Sequence, residues 1–208
     1  MIAVTTLLVP DENGQLCAFG THIETAPAIE PKLTDCWRTP PELFEQVNAD
    51  FDFQIDAASS DDNRLTPHNF TADDNALELS WTAEASARGV PPVFWCNPPY
   101  SQAGGPLAAW TDKALEESRR GATVVMLVPA DTSANRMHVA LRHADEVRFL
   151  DARVQFLHPV TGLPVSGNPW PSCLIVFRPH VPPDGWPGGA RVSVVPLPRK
   201  ARADDASG

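Results

Sequence analysis

The sequence predicts an α/β fold built on a mostly parallel sheet. Short apolar strands alternate with helical stretches through the middle of the chain. One run, "ATVVMLVPA", is uninterrupted and β-branched, as expected of a strand buried on both faces. At 208 residues, 43% of them hydrophobic, the chain suffices for one domain with a sizeable core and irregular ends.

Taken in order, residues 1–33 show no clear period and form an N-terminal extension, with one strand at residues 3–9. "TPPELFEQVNAD" reads as a helix: Thr39 at the N-cap, Pro in the first turn, acids early, and Leu43, Phe44 and Val47 on one face. "FDFQIDAAS" gives a short strand that runs into a turn of small residues. The polar stretch after it is mostly loop, with a short element near residues 76–81. "PVFWC" is a second apolar strand. "GPLAAWTDKALEESRRG" is the clearest helix, with Leu107, Trp110, Ala114 and Leu115 at helical spacing, charges opposite, and Gly121 past its end. "SANRMHVALRHA" is helical, and "DEVRFLD", "VQFLHP" and "SCLIVFRP" are strands. The 22 prolines cluster toward the end, so residues 181–208 form a partly irregular Pro/Gly-rich tail after a domain at 34–180.

Net charge is -10, which speaks against a general nucleic-acid coat protein but leaves room for an enzyme with a local basic cleft. The four cysteines, Cys17, Cys36, Cys96 and Cys173, form no CxxC pair for zinc or redox work. They read as free thiols in a reducing cytoplasm. No run reaches membrane-spanning length, and the N-terminus lacks the features of a signal peptide. His138, His143 and His158 have no metal-ligand spacing, so no metal is expected.

Chemistry concentrates at "VFWCNPPYSQ", where an apolar strand ends on Asn97-Pro98-Pro99-Tyr100. In open α/β sheets ligands bind at the carboxyl ends of strands. Asn97 offers a carbonyl oxygen that accepts from an amine. The prolines fix φ, and Pro98 keeps a carbonyl as a second acceptor. Tyr100, the only tyrosine in the chain, offers a flat face for stacking. Two acceptors and a ring suit a planar group bearing –NH2. Holding both amine hydrogens would free the nitrogen lone pair. The competing explanation is a proline-rich strand-to-helix turn in which Tyr100 only packs.

"NPPY" after an apolar strand resembles the catalytic motif of S-adenosylmethionine-dependent amino-methyltransferases. The ordered set "DCWRTPPELFEQV", "FDFQIDAAS", "ALELSW", "FWCNPPYS", "VVMLVPADTS", "VRFLDARVQF" and "NPWPSCLIVF" resembles the phage-type DNA N6-adenine methyltransferases across residues 35–177. The resemblance implies a Rossmann-like class I methyltransferase fold and S-adenosylmethionine as cofactor. It implies DNA as partner, with a flipped-out adenine as acceptor, in a phage or prophage modification enzyme of the cytoplasm. It makes Asn97, Pro98, Pro99 and Tyr100 the catalytic residues.

The same resemblance assigns "WRTPP" to the cofactor segment, with Trp37, Thr39 and Pro40 as candidates and Thr39 facing the methionine carboxylate at a helix N-terminus. Trp37 reads equally well as a core ring. Asp56, ending the first strand, joins Asn97 as a cofactor contact. Asp73 and Asp74 are weaker candidates for ribose. The turn "DAASSDD" departs from the glycine-rich turn common in this fold. Toward DNA, Ser101 and Arg153 are the candidates, with Arg142, Arg148 and Arg178 equally readable as partners in surface ion pairs.

About forty residues separate the first strand from NPPY, too few for an inserted recognition domain. The segment "LDARVQFLHPVTGLPVSGNPWPS" is therefore the candidate for substrate contacts. A protein glutamine or an RNA is the alternative acceptor, and a catalytically dead binding module is a third reading. Deaminase chemistry is excluded because its zinc motifs are absent.

Overall fold

The computed structural model describes residues 3–10, 16–24, 33–101, 106–179 and 184–198. The chain divides into two units, 1–30 and 31–208. In the first, strands β1 (Ala3–Pro10) and β2 (Leu16–Glu24) pair antiparallel, with a register irregularity between Thr6 and Leu8. The sequence signalled only the first of them.

In the second unit a 3-10 turn (Leu33–Cys36) leads to helix α1 (Pro41–Phe51). Strands β3 (Ile55–Asp56) and β4 (His68–Asn69), helix α2 (Trp81–Arg88) and strand β5 (Val93–Cys96) follow. Then come helix α3 (Leu107–Arg119), strand β6 (Thr123–Pro129), helix α4 (Asn135–His143), and strands β7 (Glu146–Leu150), β8 (Ser172–Phe177) and β9 (Arg191–Val195). The sheet order is β4-β3-β5-β6-β8-β7-β9. Every neighbouring pair is parallel except the two made by β8. This is a seven-stranded sheet of the class I methyltransferase type.

The core lies on both faces of the sheet, and strand periodicity sorts it. Phe94, Cys96, Val124, Met126 and Ile175 point to the face covered by α2, α3 and α4. Trp95, Val125, Leu127, Leu174 and Val176 point to the face covered by α1, where they meet Leu43, Phe44, Val154 and Phe156. Both faces of the central strands are closed to water, so their sequences read as continuous apolar runs. Among the described residues no helix is long and apolar enough to cross a membrane.

Several expectations need correction. The N-cap of α1 is Pro40, and no side chain caps the helix. The element expected at residues 76–81 is a turn that ends at Ser80, whose hydroxyl accepts from Ala83 N and starts α2. Helix α2 was missed because Thr, Ser and Ala dilute its apolar face to Trp81 and Ala85.

On α3 the charges do not all face water. Glu117 is fully buried and pairs with Lys113 at 2.8 Å. Its other oxygen accepts from Thr82 N and Thr82 Oγ1 at 3.0 and 3.1 Å. Burial raises the Glu117 pKa, but the Lys113 and Thr82 contacts outweigh it and hold the group below the usual carboxylate range.

"VQFLHP" is not a strand: only Leu157 makes bridges, to Arg38 and Pro164. Residues 191–195, assigned to the irregular tail, form the sheet edge beside β7. Residues 199–208 of that tail lie outside the described residues.

Candidate active site

Strands β3, β4 and β5 end on the same edge of the sheet, and the loops leaving them form a cleft of about 980 Å³. After β3 the chain turns through Ala57, Ala58 and Ser59, all lining the cleft. Their small side chains do here what glycines do elsewhere in such turns: they leave room for a ligand against the backbone. Phe70 and Thr71, after β4, line it as well, and so do Pro99, Trp110, and Pro159 and Val160 of the segment before β8. Asp73 lies on this lining, whereas Asp74 turns back to accept from Thr71 N and Thr71 Oγ1.

Asp56 sits beneath the floor of the cleft. It is 3% exposed, and its carboxylate accepts from Ala58 N at 3.3 Å and Leu65 N at 3.4 Å. Burial pushes its pKa up to about 6, and those bonds only partly offset it. Asp56 therefore shapes the turn that lines the cleft.

The NPPY corner leaves the end of β5. Asn97 donates from Nδ2 to Thr39 Oγ1 at 3.2 Å, and its Oδ1 accepts from the Tyr100 hydroxyl at 3.1 Å. The same hydroxyl reaches the Leu127 carbonyl at 3.2 Å. Thr39 is buried and absent from the cleft lining; its hydroxyl anchors the Asn97 amide. Those two bonds hold both ends of the Asn97 amide in place.

Asn97, Pro98, Tyr100, Trp37 and Phe156 surround a second, small pocket of about 10 Å³, room for one water at most. Trp37 lies against Phe156 at 6.0 Å, and Tyr100 meets Phe156 edge-on at 6.3 Å. Burial pushes the Tyr100 phenol well above its ordinary pKa.

Asp35 was missed in the sequence. Its Oδ1 accepts from Tyr100 N at 3.1 Å and Ser101 N at 2.9 Å, and its Oδ2 accepts from the Ser101 hydroxyl. It also lines both the large cleft and the small pocket. Its only sequence signal is an acid two positions before Trp37, which says nothing about contact with a residue 65 positions on.

Of the residues singled out from sequence, the structure brings Trp37, Thr39, Asn97, Pro98 and Tyr100 together. Pro99 joins the cleft lining. Pro40 sits at the start of α1, apart from the cleft lining, and Asp56 lies under the cleft rather than in its wall. Ser101 faces Asp35.

Arg153 is exposed, on the segment that carries Phe156. Arg148 and Arg178 are engaged elsewhere. Arg148 pairs with Asp50 and Glu146, and Arg178 with Asp145 and Glu146, and both guanidinium groups lie over the Phe51 ring. Among the described residues no cluster of His, Cys, Asp and Glu is arranged to hold a metal ion. Cys96 and Cys173 are buried free thiols, their pKa values pushed up by burial, and Cys36 is an exposed free thiol.

A family model described as DNA N-6-adenine-methyltransferase (Dam) matches residues 28–202. Over 162 residues the chain is 26% identical to the DNA N-6-adenine-methyltransferase of Escherichia phage T1, covering 70% of this chain and 63% of that protein. Over 90 residues it is 32% identical to "Putative methyltransferase YfdM" of Escherichia coli (strain K12), covering 40% of this chain and 99% of that protein. The chain thus spans a little under two thirds of the phage relative's length.

Proposed function

The chain belongs to the DNA N-6-adenine-methyltransferase (Dam) family, and on that premise we propose that it methylates adenine N6 in DNA using S-adenosylmethionine. The observation that carries this reading is the Asn97 amide. It is pinned by Thr39 and Tyr100 at the wall of a pocket between aromatic rings, beside a cleft that shares Asp35 with it.

The cleft fits the cofactor in size and chemistry. Its volume lies in the range of small-molecule sites. Small residues after β3 admit a ligand close to the backbone, and Phe70 closes one side of the cleft. When bound, S-adenosylmethionine supplies an electrophilic methyl group on a positively charged sulfur. Residues Ala57, Ala58, Ser59 and Phe70 hold it, with Asp56 ordering the turn beneath.

An adenine inside a duplex is closed to in-line attack, so the base must leave the stack. The small pocket must therefore widen when DNA binds, with Trp37 and Phe156 giving way while Tyr100 keeps its place. Asn97 Oδ1 has two lone pairs and accepts an amine hydrogen beside, or in place of, the Tyr100 hydroxyl. The Pro98 carbonyl accepts the other. The nitrogen lone pair is then free and aimed, and alignment supplies most of the acceleration. The two prolines keep the acceptors from rotating away. Ser101 and the exposed Arg153 support contact with the DNA strand.

The test is transfer of labelled methyl from S-adenosylmethionine to unmethylated DNA, with Asn97→Ala alongside. The expected product is N6-methyladenine, with kcat lowered by roughly 100-fold or more in the variant. Label appearing on protein or RNA but never on DNA overturns this assignment.

A further inference from the structure

The geometry points to Asp35 as a positioning residue that fixes the Tyr100–Ser101 corner, and so the base-holding end of the NPPY loop, through hydrogen-bond acceptance rather than through its charge. This rests on the methyl-transfer reading above.

The loop after NPPY is a poor candidate for self-ordering. Pro98 and Pro99 have no N–H to donate, so the first backbone donors past the motif are those of Tyr100 and Ser101. Both go to the same oxygen, Asp35 Oδ1, at 3.1 and 2.9 Å, and the Ser101 hydroxyl goes to Oδ2. One side chain from the 3-10 turn at Leu33–Cys36 thus takes the Tyr100 and Ser101 backbone donors and the Ser101 hydroxyl. The Tyr100 ring depends on that anchor. Its hydroxyl reaches Asn97 Oδ1 and Leu127 O only while its backbone stays where Asp35 holds it. Asp35 also lines both the cleft and the small pocket, so the anchor stands where the two ligands would meet.

The division of labour between the two oxygens makes the claim specific. An asparagine at position 35 keeps Oδ1 for the two backbone donors. Its Nδ2 replaces Oδ2 and donates to the Ser101 hydroxyl, which accepts as readily as it donates. Asparagine therefore preserves the anchor without the charge, and alanine removes it. A residue acting through its charge, for example by pairing with a cofactor ammonium, leaves Asp35→Asn as impaired as Asp35→Ala.

The experiment compares Asp35→Ala and Asp35→Asn in the full-length chain. Three readouts are used: steady-state methyl transfer to DNA, calorimetric binding of S-adenosylhomocysteine, and NMR of protein labelled with ring-13C tyrosine. Tyr100 is the only tyrosine, so its ring signals report the corner without assignment. Asp35→Ala is expected to lower kcat roughly 30- to 100-fold, the scale of an ångström-sized misplacement. Its S-adenosylhomocysteine Kd should stay within about 3-fold, and its Tyr100 signals should shift or broaden. Asp35→Asn is expected within about 5-fold of the unaltered kcat, with the Tyr100 signals restored.

Wild-type turnover in Asp35→Ala overturns the proposal. So does an Asp35→Asn variant as slow as Asp35→Ala with S-adenosylhomocysteine binding lost in both. If Asp35→Ala does not fold, Ser101→Ala replaces it; unchanged kcat together with unchanged Tyr100 signals then overturns the proposal. If the unaltered chain transfers no methyl to DNA, the adenine assignment fails by itself. The Tyr100 signals of Asp35→Ala still decide the anchor: a shift supports it and an unchanged spectrum overturns it.

Discussion

At the residue scale the site is a short chain of hydrogen bonds that runs from Thr39 through Asn97 to the Tyr100 hydroxyl. Thr39 Oγ1 takes an Asn97 amide hydrogen, and Asn97 Oδ1 takes the Tyr100 hydroxyl. Thr39→Val keeps the shape and removes the acceptor. It is expected to lower kcat about 5- to 13-fold, in line with a lost hydrogen bond of roughly 1–1.5 kcal/mol, with the Kd for S-adenosylhomocysteine little changed. Kinetics beside calorimetry check this, and an unaltered kcat would show that Asn97 is held by other means. Arg153 is tested through salt. If it meets a phosphate, Arg153→Ala should reduce the slope of log affinity against log salt concentration by about 1, measured by fluorescence anisotropy on a short duplex. An unchanged slope removes Arg153 from the interface. The motif residues were legible because Asn, Pro and Tyr at a strand end have few other reasons to occur together. Asp35 was not legible, because only the folded chain brings it to Tyr100.

At the element scale the strands that read clearly were those buried on both faces, β5, β6 and β8. Their apolar runs have no competing explanation. Strand β3 was also read, from "FDFQIDAAS", although it pairs over only two residues; β4, equally short and lying in a polar stretch, showed no period and was not. Strand β9 reads as exposed tail because its residues are mostly exposed and are held by pairing with β7 rather than by burial. Ion pairs help to join that edge. Asp145 and Glu146 at the start of β7 gather Arg178 from the end of β8 and Arg191 from β9.

Glu146 is 13% exposed; burial raises its pKa, but Arg148 and Arg178 outweigh this and hold it at about 2, below the model-compound 4.5. Its contribution to stability is therefore complete above pH 4.5 and is lost as pH falls toward 2. Glu146→Gln should cost about 1–3 kcal/mol at pH 7, less as pH drops below 4.5, and nearly nothing close to pH 2. Urea melts resolve this, since guanidinium chloride would screen the pairs. A gap that stays constant across that range would assign the loss to shape rather than charge.

At the scale of the whole molecule, charge and topology pull in different directions. A chain of net charge -10 has little general attraction for a polyanion, so on the proposed reading affinity for DNA would come from a few local contacts and from a base held in a pocket. That balance is why composition spoke against a coat protein while the motif spoke for a DNA enzyme. The fold class followed from alternation and burial, and the sheet order set the edge at which the motif sits.

The segment before β8 has a further effect. Leu157 exchanges both backbone hydrogen bonds with Arg38 at 2.9 Å. Phe156 on one side of that bridge walls the small pocket, and Pro159 and Val160 on the other wall the large cleft. One segment thus forms part of the wall of both chambers. On the proposed reading, a displacement of that shared wall would open both chambers at once, and methylated base and spent cofactor would leave together. If the duplex is let go in the same step, each encounter modifies one site. On a DNA carrying two target adenines, early time points should then hold singly modified molecules, with doubly modified ones appearing only after release and rebinding; immediate double modification under a large excess of DNA would mean the chambers open separately.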